Sequence, residues 1–161
     1  MKETSANEQL IKELISLLTK GNAHVTFNEA VNNIPFEDLG KKPAGLPYSI
    51  WQIVQHIRIA QKDILDFSAG NNYEEMNWPD DYWPKNIAPK DEVEWQSCIK
   101  QINNELDEFM ELLKNVEDLY KPFEHGKGQN LLREAMLIAD HTSYHTGEIV
   151  IVRRLLGNWK N

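Results

Sequence analysis

Val93, Trp95, Ile99, Ile102, Leu106, Phe109, Leu113 and Val116 read as one helix seam, alternating steps of four and three from Trp95 onward. Residues three and four apart share one face of a helix, and alternating the two steps draws a straight apolar stripe that fits against another helix. Asp91 stands where such a helix needs a side-chain oxygen for its first free N–H groups. A helix striped in this way buries one side only, so the rest of the chain must supply partners with stripes of their own.

Three other long segments do so. Leu10, Leu14, Leu17 and Leu18 mark one face of a first helix over about Ser5–Lys20, which Gly21 stops. Ile50, Ile53, Val54, Ile57, Ala60, Ile64 and Phe67 mark a second, opened by the capping pair Ser49 and Gln52 and closed by Gly70 and the Asn71-Asn72 pair. The striped segment above is the third, and the fourth runs from Asn130 as N-cap to Leu156, with Gly157 as its stop. Thr26 and Glu29 form one more capping pair, which predicts a short helix to about Asn33, ahead of Pro35, either separate or as a kinked continuation of the first. No segment carries the two-residue period of a strand. The expected fold class is therefore all-α, a four-helix bundle, and a chain of 161 residues that is 41% hydrophobic suits a single domain over 1–161.

The connections are uneven. Gly40–Pro47 reads as a loop and Pro122–Gly128 as a break, but Asn71–Lys90 is a twenty-residue stretch holding Pro79, Pro84 and Pro89 beside Tyr73, Trp78, Tyr82 and Trp83. Such a stretch reaches at most about 65 Å, against roughly 30 Å for the second helix, so it can cross the whole bundle. The expectation is a long crossover that leaves helices two and three parallel, with its aromatic residues packed as a cover.

Seventeen Lys and Arg against 25 Asp and Glu give a net charge of −8, which repels a phosphate backbone, so no nucleic-acid partner is expected. No stretch of about 18 apolar residues is present, and Met1–Leu10 lacks the apolar core of a signal peptide. The expectation is a cytoplasmic protein without a membrane partner. Cys98 is the lone cysteine and reads as a small apolar filler. Glu105, Asp107, Glu108 and Glu111 read as the solvated face of the third helix.

The chemistry is carried by histidines. His141 and His145 are four apart on the fourth helix, so they sit one turn apart on one face and can chelate one ion. They continue a row made by Ile138, Thr142, Ile149 and Val152, which points them at the interior or its edge. His56 lies between Ile53 and Ala60 on the second helix and is the natural third ligand. Three neutral imidazoles from two facing helices leave coordination positions open, although each could instead be a hydrogen-bonded core histidine. No Asp or Glu lies three residues ahead of any of the five histidines, so the Glu-x-x-His pairs of di-iron bundles are absent. Imidazole ligation suits zinc, nickel, iron or copper. Glu148, three residues past His145, could accept its free ring N–H, and Asp63 lies two turns past His56; both could equally be surface carboxylates. Asp140 and Tyr144 point about 100° away from the neighbouring ligands and are left out. His24 either faces a pocket mouth or has no role, Trp78, Tyr82 and Trp83 could roof the site, and His125 is assigned nothing.

The segments Ala23–Ala30 (AHVTFNEA), Gly45–His56 (GLPYSIWQIVQH), Gln61–Leu65 (QKDIL) and Asp140–Glu148 (DHTSYHTGE) resemble the DinB-like superfamily of metal-binding helical bundles, which includes the YfiT-type proteins. The resemblance covers nearly the whole chain, and His56, His141 and His145 match the family's metal triad. It implies a bundle with a long crossover between helices two and three, a zinc or nickel ion, and a homodimer. It also implies a metal-dependent transferase acting with a low-molecular-weight thiol on a small-molecule substrate. A hydrolase, or a non-catalytic bundle whose ion is structural, are the alternatives.

Overall fold

A computed structural model describes residues 6–43, 45–70 and 73–159. Ser5, Ala44 and the Asn71-Asn72 pair, which the sequence reading uses as helix ends or loop, lie outside the described residues. Five α-helices follow in order: α1 Ala6–Thr19, α2 Phe27–Val31, α3 Ile50–Ala69, α4 Glu92–Asn115 and α5 Leu131–Leu155. Two 3₁₀ turns, Phe36–Asp38 and Asp80–Tyr82, lie in the connections, and no strand occurs among the described residues. The four long helices of the sequence reading are thus α1, α3, α4 and α5. No helix among the described residues is long and apolar enough to cross a membrane.

Helix starts are set by the expected side chains. Thr26 and Ser49 each close a reciprocal capping box, with Glu29 and Gln52, while the side chains of Asp91 and Asn130 accept from the N–H groups of Glu94 and Arg133. These oxygens satisfy donors that have no partner within the helix. Gly21 ends α1 for a steric reason: a Cβ there would stand 1.8 Å from the His24 carbonyl oxygen, so only glycine admits the turn.

The core falls into two clusters, and their membership gives the helix directions. One joins Ile50, Trp51, Ile53, Val54 and Ile57 of α3 to Trp95, Cys98 and Ile102 of α4 and to Ile149, Val150 and Val152 of α5. The other joins Ile64 and Leu65 to Phe109 and Leu113, and to Leu131, Ala135 and Ile138, with Leu14 of α1. Early α3 meets early α4 and late α5, so α3 and α4 are parallel and α5 opposes both. This is the arrangement that a crossover connection permits and a short loop forbids.

Some expected faces are different. Val93 is 76% exposed and precedes the buried stripe, and Leu17 is 48% exposed at the rim of α1. Glu105 is only partly exposed and is not part of a solvated acidic face; burial between α3 and α4 raises its carboxyl pKa, against Arg58 and Lys62 nearby. Cys98 is buried, as a filler should be, and burial pushes its thiol up to about 12, which leaves it unreactive.

Candidate metal centre

The antiparallel packing of α3 on α5 brings His56 opposite His141 and His145. One ring nitrogen of each lies within 4.8 Å of the other two, and the Nε2 atoms of His56 and His141 are 3.0 Å apart. Two ligands about 2.05 Å from an ion at a tetrahedral angle stand about 3.3 Å apart, so this spacing is close to that of a coordinated pair. Among the described residues, the group that could hold an ion consists of these three histidines.

The tautomers follow from the outer hydrogen bonds. His56 Nδ1 lies 2.8 Å from the Tyr82 carbonyl oxygen, which can only accept, so Nδ1 carries the proton and Nε2 presents its lone pair. His145 Nδ1 lies 2.6 Å from Glu148 Oε2 and donates in the same way. Outer acceptors of this kind orient metal-binding imidazoles and raise their basicity. His56 and His145 are nearly fully buried, while His141 keeps partial exposure and forms the solvent edge of the cluster.

Burial lowers the pKa of all three rings. His141 falls to about 4, through desolvation and then its two histidine neighbours, and His145 falls to about 4 through desolvation and then His56. His56 is also lowered by burial, against the Tyr82 carbonyl and the Glu148 charge. At neutral pH the rings are uncharged, the form that binds a metal ion. Burial raises Glu148, against a hydrogen bond from Tyr144.

The crossover supplies the other wall, running back along α3. Ser49 Oγ donates to the Ile87 carbonyl at 2.5 Å, Gln52 Nε2 to Pro84 at 3.3 Å and His56 Nδ1 to Tyr82 at 2.8 Å, while the Tyr82 hydroxyl donates to Asp63 Oδ2 at 2.6 Å. Trp83 stacks on the His56 ring with centroids 4.0 Å apart and planes 5° from parallel, and Tyr48 stacks in turn on Trp83 at 3.7 Å. The expected aromatic roof is therefore Trp83 and Tyr82. Trp78 is 71% exposed and stands 6.5 Å from His56, at the margin.

The remaining candidates separate clearly. Glu148 is the partner of His145, and Asp63 does not reach His56 but holds Tyr82. Tyr144, set aside on helical direction, reaches the site through Glu148 and packs 4.9 Å from the His145 ring. His24 lines a cavity of about 200 Å³ with Leu17, Ile102, Thr142 and Thr146, away from the three imidazoles. His125 donates to the Phe67 carbonyl and packs on Phe123. The Tyr82 carbonyl was beyond sequence reasoning, because every residue carries one.

No curated protein and no solved structure matches the chain. A family model described as the DinB superfamily matches residues 22–149, a span that runs from the turn before α2 through the crossover to the end of the histidine motif. With the whole cluster and both of its supporting segments inside that span, the chain belongs to the DinB superfamily.

Proposed function

We propose that His56, His141 and His145 hold one divalent transition-metal ion, zinc or nickel, and that the protein is a metal-dependent transferase using a low-molecular-weight thiol. The observation that carries this reading is the pair of outer acceptors. The Tyr82 carbonyl and the Glu148 carboxylate each take an Nδ1–H, which leaves the Nε2 atoms of His56 and His145 free to coordinate. Without an ion, His56 Nε2 accepts from His141 Nε2–H at 3.0 Å, and binding a metal exchanges that hydrogen bond for coordination by both nitrogens.

Three protein ligands suit a centre that keeps a position for an exogenous group, whereas closed structural sites use four. An ion bound there lowers the pKa of a coordinated thiol or water, making a nucleophile at neutral pH. The chain's own part is to hold the three rings neutral, exclude water from the His56 side with Trp83 and leave His141 as the side open to a small-molecule substrate. Superfamily membership supports a homodimer, and the charge of −8 supports a small molecule over nucleic acid.

The test is metal content by plasma emission spectrometry on protein purified without an affinity tag or added metal, beside His56→Ala. About one zinc or nickel per chain, lost in the variant, supports the centre; thiol-dependent turnover of electrophilic substrates by the loaded protein then supports the transferase over a hydrolase. Wild-type protein that stays metal-free in the presence of micromolar zinc or nickel overturns the reading.

A further inference from the structure

We propose that Asp63 is a positioning residue for this centre, acting on His56 through Tyr82. The inference rests on the reading of His56 as a ligand. Asp63 Oδ2 accepts the Tyr82 hydroxyl at 2.6 Å, and the carbonyl of the same tyrosine accepts His56 Nδ1–H at 2.8 Å. Seven residues of α3 separate the two attachment points, about 10 Å of helix, so Tyr82 is clamped at both ends along one face.

Within the crossover, Asn77 and Asp81 hold each other and the Tyr82 N–H donates to the Pro79 carbonyl, which shapes the turn but does not tie it to α3. The crossover's regular structure among the described residues is the single 3₁₀ turn Asp80–Tyr82, and its polar ties to α3 and its N-cap run through Ser49, Gln52, His56 and Asp63, beside the stacking of Trp83 on His56. Asp63 is the one charged member of that set. It also accepts from Tyr73, so one carboxylate gathers two tyrosines from opposite sides of the exposed Trp78–Asp81 stretch. Burial and the Asp63 carboxylate hold both hydroxyls above the ordinary phenol range, so both remain donors.

The consequence falls on the His56 tautomer. His56 is 2% exposed, and no water can readily replace a displaced carbonyl. If the Tyr82 carbonyl moves away, the ring loses the acceptor that keeps its proton on Nδ1. The proton can then reside on Nε2, the atom that faces His141, where it blocks coordination.

The tautomer can be read directly by ¹⁵N imidazole NMR of the ion-free protein. Wild type should show His56 protonated at Nδ1. Asp63→Ala and Tyr82→Phe should shift it to a mixture with the Nε2–H form, whereas Asp63→Asn, which keeps an acceptor oxygen, should restore the wild-type tautomer. Cobalt(II) titration of the same variants should give a dissociation constant raised about tenfold or more for Asp63→Ala, with altered visible bands for the ion that does bind. A merely structural Asp63 would lower thermal stability and leave tautomer and cobalt bands unmoved, and that result overturns the proposal. Tyr82→Phe removes a single oxygen and decides the matter if Asp63→Ala does not fold. Wild type that binds no cobalt would refute the metal reading of the previous section, and the NMR comparison would still decide the Asp63–Tyr82–His56 link.

Discussion

Glu148 accepts the Nδ1–H of His145 at 2.6 Å while lying only partly buried at the edge of the cluster. Glu148→Gln keeps an acceptor oxygen there and removes the charge. Loss of a hydrogen-bond partner behind a metal-binding histidine costs 10- to 100-fold in affinity, and a retained neutral acceptor places this substitution at the lower end, about tenfold or ~1.4 kcal/mol. Stability of the ion-free protein should move the other way. Burial raises the Glu148 pKa, so the folded state binds its proton more tightly than the unfolded state does. Stability is then lost as pH rises from about 4.5 through the folded value, and the whole cost is present at pH 7. Glutamine carries no such cost. Chelator competition at pH 7 should show the weaker binding, and scanning calorimetry of ion-free protein should give a Tm equal to or above wild type at pH 7, with the advantage gone at pH 4. Affinity within twofold of wild type, or an ion-free Tm several degrees lower at pH 7, would refute the reasoning.

The imidazoles give the opposite pH dependence. His141 and His145 sit at about 4 against an ordinary 6.5, so the unfolded chain takes up protons first, and ion-free Tm should fall as pH drops from about 6.5 to about 4. For the same reason zinc affinity should fall less between pH 7 and pH 5.5 than that of three ordinary imidazoles; isothermal titration at the two values checks this. Arg153 is 5% exposed and donates to the carbonyls of Ala30, Asn32 and Asn158, tying α2 and the C-terminal turn to α5. Arg153→Met strands those acceptors, and we expect a loss of about 3–5 kcal/mol and a Tm roughly 10 °C lower by calorimetry. Phe109 is fully buried among Ile64, Leu65 and Leu113, so Phe109→Ala should cost about 3–5 kcal/mol in urea unfolding without changing metal stoichiometry.

Most of the bundle was legible because helices advertise themselves locally. Thr26, Ser49, Asp91 and Asn130 each cap the helix that their spacing to the following residues predicts, and the crossover follows from loop length against helix length. The histidine cluster was legible for a related reason: steps of three and four placed His56 on one inward face and His141 with His145 on another. What failed depended on neighbours that no periodicity reports. Val93 and Leu17 are apolar at the ends of stripes where no helix covers them, and Glu105 is acidic where α3 closes over it.

The outer partners of the centre divide along the same line. Glu148 lies one turn past His145 on the same helix, so spacing alone found it, whereas the partner of His56 is a backbone carbonyl on an aperiodic segment. Yet α3 does carry a trace of it. Beside the apolar stripe of Ile50, Ile53, Val54, Ile57 and Ile64 runs a second row, Ser49, Gln52, His56 and Asp63, at steps of three, four and seven. The first three are buried. A helix can cover such a donor where a carbonyl takes a second bond, as Ile102 of α4 does from Gln61 Nε2 at 2.7 Å, but an irregular segment offers carbonyls with no helix bond of their own. Asn71–Lys90, broken by three prolines, has such carbonyls to spare and is long enough to lie along the whole row. Here the buried polar row of Ser49, Gln52 and His56 takes its acceptors from that irregular crossover, which brings the carbonyl that sets His56 for coordination.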